Sequence, residues 1–174
     1  MADSIPAQHQ GPSPVPVSVG DADPASAESE LLINHLWEEL GGLYGDTGPC
    51  KFTPDQVSGE RSAFVSARQA ERVVACGAIV PLEHNAAEVK RIFVVPESRR
   101  QGIAQLIVQY LELRACDLGF TVLRLETGIK QPGAAKLYES CGFQKIPAFG
   151  SYRGDPLSVC FEKKLQGTNC PGDC

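Results

Sequence analysis

A chain of 174 residues is long enough for one compact domain with a real core. Its formal net charge of −5 argues against a generic nucleic-acid binder, which carries a basic balance, although a local basic patch can still hold an anionic ligand. The N-terminal residues show no basic segment followed by an apolar one, no stretch is apolar enough to span a membrane, and the seven scattered cysteines lack a CxxC spacing, so the expectation is free thiols in a reducing cytoplasm.

In chain order, residues 1–14 (MADSIPAQHQGPSP) are rich in Pro, Gln and Ser and read as a disordered tail. Val15–Val19 is a short strand. Ala25–Tyr44 places Leu31, Leu32, His35, Leu36, Glu39 and Leu40 at a helical period, with Ser26 or Ser29 as cap, and GDTGPC breaks it. SAFVSAR and RVVACGAIVPL form a hairpin about Gln69–Glu71. Ala87–Val95 alternates at period two, with Val89, Arg91 and Phe93 on one side and Lys90, Ile92 and Val94 on the other, until Pro96 ends it. Gln101–Leu118 is the strongest helix. Its stripe is Ala104, Val108, Leu111, Ala115 and Leu118, widened by Ile103, Leu106, Ile107, Tyr110 and Leu113. Gln105, Gln109, Glu112 and Cys116 make its wetter face, and Gly119 follows as the C′ residue. FTVLRLET is a strand. Pro132 opens a shorter helix with Ala134, Leu137, Tyr138 and Cys141 inward and Gly142 at its close. FQKI and PLSVCFEKKL are the last strands, and GTNCPGDC, residues 167–174, is a flexible tail. The domain, residues 15–166, is thus a mixed α/β (α+β) sheet of about seven strands flanked by helices, with no internal repeat.

The segment PESRRQGIA lies between a strand and the strongest helix. Such a turn presents unpaired backbone amides at the positive end of the helix dipole, which favours an anion such as phosphate. Gly102 and Ala104 lack bulk there, and Arg99 and Arg100 add donors suited to phosphate oxygens, or are simply solvated. No GK[ST] of a P-loop and no GxGxxG of a dinucleotide site is present.

VKRIFVVPESRRQGIAQLIVQYLELRACDLGF resembles the acetyl-CoA-binding segment of the GNAT N-acetyltransferase superfamily. Its [RQ]xxGx[GA] hallmark falls on Arg99, Gly102 and Ala104, and QPGAAKLYESCGF is similar to a second family element, NxxAxxLYxxxGF. ETGxxQP and FGxYxxDPxSxxxEK resemble a subset of small bacterial acetyltransferases. The resemblance implies a sheet splayed between its fourth and fifth strands, Ala87–Val95 and Thr121–Thr127. It implies that the backbone of Phe93, Val94 and Val95 pairs with the pantetheine arm and that the turn Arg99, Arg100, Gln101, Gly102, Ile103 and Ala104 holds the pyrophosphate. Gln131 stands where the family often has Asn, one methylene further out, and with Ala134 completes the cofactor-binding set. Tyr138 matches the tyrosine near the cofactor sulfur, where a phenol can give a proton or hydrogen bond to the departing thiolate.

The attacking amine must lose a proton, and Glu88 and Glu126 are the candidate bases, unless they merely pair with Arg91 or Arg124. Phe149, Tyr152 and Asp155 fall in the loop that borders the acceptor site in such a fold; aromatic rings beside an acid could hold an amine, or the segment is turn chemistry set by Gly150, Gly154 and Pro156. The transfer needs no enzyme nucleophile, so the cysteines have no catalytic task. His9, His35 and His84 lack ligand or dyad spacing, and no metal is expected. The implied function is transfer of acetyl from acetyl-CoA to a primary amine of a small molecule by direct attack in a ternary complex. A protein lysine or N-terminal acetyltransferase and a non-catalytic acyl-CoA-binding regulatory module are the alternatives. Neither nucleic acid nor membrane is an expected partner, and a homodimer is common in the family.

Overall fold

The β-branched and small residues from Ala63 to Pro81 fold back as the central hairpin around which the other elements assemble. The structure, a computed structural model, describes residues 15–45 and 52–165; the expected tails, His9, Cys50, Cys170 and Cys174 lie outside them. The strands are β1 (Val17–Asp21), β2 (Ala63–Gln69), β3 (Arg72–Pro81), β4 (Ala86–Val94), β5 (Val122–Gly128), β6 (Gln144–Ile146) and β7 (Ser158–Lys164). The helices are α1 (Ala27–Tyr44), α2 (Ile103–Asp117) and α3 (Pro132–Ser140). One seven-stranded sheet runs in the order β1-β2-β3-β4-β5-β7-β6. Its ladders are antiparallel except for β4 with β5, which α2 links as a parallel crossover. The mixed α/β architecture matches the sequence expectation.

Ser26 is the cap of α1: its hydroxyl accepts from the Ser29 amide at 3.2 Å. The inward face is Ser29, Leu32 and Ile33, while Leu31, expected to belong to it, is 55% exposed. On α2 the expected stripe holds for Ile103, Ile107, Val108, Leu111 and Ala115, but Leu106 and Leu113 face outward. Glu112, placed on the wetter face, is buried because Lys163 of β7 meets its carboxylate at 2.6 Å. The same ammonium donates to the Cys141 carbonyl at 2.8 Å, tying the end of α3 to α2.

The even alternation expected along β4 is broken by a bulge. Lys90 pairs with Ala78 and Phe93 with Cys76, so Arg91 and Ile92 together oppose Gly77, and Arg91 takes a φ of +61°. A Cβ on Gly77 would lie 2.6 Å from Ile107 and 2.7 Å from Ile92, so only glycine lets β3 pass beneath α2. Within the bulge Ile92 meets α2, and beyond it Phe93 meets His35 of α1 at 6.5 Å between rings. Successive strand residues face opposite ways, so α1 and α2 cover opposite sides of the sheet. Phe93, not Val94, therefore continues the face begun by Glu88 and Lys90.

Candidate active site

The β4–β5 ladder pairs Ala86 with Val122 through Val89 with Leu125 and then stops, although β4 continues to Val94 and β5 to Gly128. The strands splay from there. The Val95 amide is committed to the Val74 carbonyl at 2.9 Å, so alternation turns the peptide edges of Val94 toward the open gap. One of those edges is already used: Arg99 Nε donates to the Val94 carbonyl at 2.8 Å.

Two adjoining cavities fill the splay. The first, of about 580 Å³, is lined by Phe93, Val94, Arg99, Arg100, Gly102, Ile103, Ala104, Gln131 and Ala134, with Leu36, Glu39 and Leu43 of α1 across from them. Gly102 caps α2 in the left-handed conformation, φ +80°, and a Cβ there would meet open space. Backbone conformation, rather than clearance from a protein neighbour, is what calls for glycine. The first backbone bond of α2 runs from the Leu106 amide to the Gly102 carbonyl at 3.1 Å, so the amides ahead of it await another acceptor. Arg99 is held in the scaffold by Val94 and by an ion pair with Glu39, its guanidinium 5.6 Å from the Phe93 ring centre. Arg100 is exposed and enters no ion pair among the described residues. Val95 and Gln101 do not line this cavity; Gln101 donates nothing to it and instead accepts from Gln69 at 2.9 Å.

The second cavity, of about 420 Å³, gathers Glu88, Glu126, Tyr138, Tyr152 and Asp155 under Leu36, Leu40 and Tyr44 of α1. It shares Leu36, Ile92, Gln131, Ala134 and Leu137 with the first, so the two form one continuous groove. Neither glutamate pairs with Arg91 or Arg124; Arg124 is taken by Glu83 and Glu162, each at 2.8 Å. Glu88 is 8% exposed and its Oε1 accepts from the Tyr152 hydroxyl at 2.6 Å and from Lys90 at 2.8 Å. Burial, and the hydroxyl's bond to Glu88, push Tyr152 above its ordinary pKa. Glu126 is half-buried, and desolvation raises its carboxyl above the usual range. Ser158 and Lys90 work against the rise, while the charges of Asp155 and Glu88 add to it.

Tyr138 is 6% exposed and burial pushes its phenol up; its hydroxyl makes no hydrogen bond within the protein among the described residues. Asp155 lines the cavity and shapes the turn, accepting from the Leu157 amide and the Ser158 hydroxyl at 2.9 Å each. Phe149 does not line the cavity. It is buried edge-on against Tyr152, rings 5.3 Å apart, and so supports that tyrosine. Gln131 caps the turn into α3, its side-chain oxygen accepting from the Gly128 amide at 3.2 Å, which leaves its NH₂ group for the groove.

Two lining residues stand outside the expected site: Lys90, a polar residue of an alternating strand, and Tyr44, the last residue of α1. Tyr44 closes the cavity: its hydroxyl accepts from the Lys130 amide at 3.0 Å, and a Cβ on Gly128 would lie 1.8 Å from it. That constraint joins two residues far apart in the chain, so it leaves no local signal in the sequence. Cys76, buried, is pushed up to about 12 by desolvation, and it, Cys141 and Cys160 are free thiols. Cys116 departs from the free-thiol expectation, being disulfide-bonded. Among the described residues no cluster could hold a metal ion, and no helix is long and apolar enough to cross a membrane.

Residues 30–143 match the acetyltransferase (GNAT) family. An IAA acetyltransferase from Azospirillum brasilense is 34% identical over 86% of this chain and 98% of its own length. A Klebsiella pneumoniae structure described as an acyl-CoA N-acyltransferase is also 34% identical, with a TM-score of 0.73 over 86% of this chain and 98% of that one. A GNAT acetyltransferase from Elizabethkingia anophelis, solved with acetyl-CoA bound, shares the fold at 17% identity and a TM-score of 0.65, covering 86% of this chain and 98% of that one.

Proposed function

The chain belongs to the acetyltransferase (GNAT) family, whose co-substrate is acetyl-CoA, and from that premise we propose that it acetylates the primary amine of a small molecule by direct attack in a ternary complex. The observation that carries this reading is the placement of Glu126 and Tyr138 in one cavity that runs straight into the groove beneath the first turn of α2. The residues present fit the cofactor. The unsatisfied amides after Gly102 suit a pyrophosphate, exposed Arg100 can neutralise it, and the gap-facing edge of Val94 and the NH₂ of Gln131 suit the amides of a pantetheine arm. Arg99 shapes the turn rather than reaching the anion, since both ends of its guanidinium are engaged. Bound acetyl-CoA supplies an activated thioester; the rest falls to the chain.

Glu126 takes the proton of the incoming ammonium. Its raised pKa brings it closer to that task than an ordinary carboxylate, and neither oxygen is locked in an ion pair. Glu88 is the poorer base because its Oε1 already accepts two hydrogen bonds; it orients Tyr152 and Lys90. Tyr138, its phenol kept neutral by burial, donates to the departing thiolate. A cavity of about 420 Å³ suits a small acceptor. Thiol release from acetyl-CoA across a panel of amines tests the reading: at least one amine should raise it, and Tyr138→Phe should cut kcat while leaving cofactor affinity nearly intact. Full activity in that variant would remove Tyr138 from the chemistry.

A further inference from the structure

We propose that the acceptor carries a carboxylate beside its amine, and that Arg91 recognises that carboxylate. This rests on the amine-acetylation reading above and narrows its substrate class. The charges lining the acceptor cavity sort into those already satisfied and those left open. Glu88, Lys90 and Tyr152 satisfy one another. Arg91 enters no ion pair among the described residues. Its one polar side-chain contact there is a long bond to Gln56 at 3.3 Å, and its guanidinium rests 5.5 Å from the centre of the Phe52 ring. A half-buried guanidinium flanked by an aromatic ring, with its remaining donors unmatched, is a ready partner for a carboxylate, whose two oxygens fit the guanidinium fork.

Position supports the pairing. The last paired residues of the splay are Val89 and Leu125; Arg91 stands two residues past that point on β4 and Glu126 one past it on β5. A cation and an anion therefore face the same cavity from opposite sides of the gap. A zwitterion laid between them directs its ammonium to Glu126, next to Tyr138, and its carboxylate to Arg91. The bulge is what sends Arg91 there. Its φ of +61° is an uncommon state for a residue with a Cβ, and an even strand would have sent its side chain elsewhere.

Matched acceptors test this: phenylalanine against phenethylamine, and leucine against isoamylamine, each with acetyl-CoA and with wild-type, Arg91→Gln and Arg91→Lys protein. In the wild type the amino acid of each pair should show a kcat/KM about tenfold or more above its decarboxylated partner, through KM. Arg91→Gln should bring that ratio toward one without altering acetyl-CoA binding, and Arg91→Lys should keep part of it. Equal or better use of the decarboxylated amines by wild type overturns the inference while sparing the acetylation reading, as does a ratio that Arg91→Gln leaves unchanged. Bound acetyl-CoA with no amine of either kind acetylated overturns both. If Arg91→Gln does not fold, the wild-type ratios decide.

Discussion

At the scale of single residues, the proposed role of Glu126 as base makes activity and stability respond to its titration in opposite directions. Because burial raises its pKa, the folded state holds the proton more tightly than the unfolded chain does. Its contribution to stability is therefore complete below the ordinary glutamate pKa and is lost as pH rises through the raised one. Activity runs the other way, since only the ionised group can take a proton. The acid limb of kcat/KM should lie above the ~4.3 of an unperturbed glutamate. Glu126→Gln should lower kcat by about 10²–10⁴-fold and abolish that limb, while raising the melting temperature at pH 8. A variant that loses activity but keeps the limb would assign the titration to another group. Glu88 and Glu126 were legible as candidates because both flank the splay implied by the family motifs. Their division of labour was not, since it depends on Tyr152 arriving from a loop 64 residues away along the chain.

At the scale of elements, two glycines do different work at the ends of the site. Gly102 bends the chain into α2 at φ +80° with nothing near its missing Cβ. Gly102→Ala should cost about 1–2 kcal/mol in fold stability through backbone strain and raise the KM for acetyl-CoA, because the amides it aims would shift. Thermal melts together with acetyl-CoA titration separate those two effects. Gly128 has an ordinary backbone but sits against Tyr44, whose hydroxyl would be 1.8 Å from an added Cβ. Gly128→Ala should therefore displace the end of α1, lowering the melting temperature and widening acceptor choice. Adding Tyr44→Ala should restore stability, since it removes the obstructing ring, and leave the cavity open. The glycine of the RxxGxA motif could be read from sequence because a local turn demanded it. The other could not, because its constraint comes from a helix more than eighty residues earlier.

Across the whole molecule, the buried Glu112–Lys163 pair joins the helix that starts at the cofactor groove to the helix that carries Tyr138. Lys163→Met should destabilise by about 3–5 kcal/mol, because it leaves the Glu112 carboxylate, 5% exposed, without its counter-charge. Glu112→Gln in the same chain should recover much of that loss, and urea denaturation of the single and double variants measures it. Seven strands and three helices could be placed from period and punctuation alone, to within a residue or two at most ends, because those signals are local: β-branched alternation, a helical stripe, and prolines or glycines at the boundaries. The RxxGxA and LYxxxGF spacings fixed the family for the same reason, each lying within one turn of chain. What tertiary structure decided is everything set by pairs distant in sequence. The bulge that turns Phe93 toward α1 lies opposite Gly77, where β3 passes under Ile107. The burial of Glu112 depends on Lys163 in the last strand, and the capture of Arg99 depends on Glu39 in the first helix. Periodicity reports only how a residue faces within its own element; which charge is neutralised, and which is left for a ligand, depends on what another element brings to it.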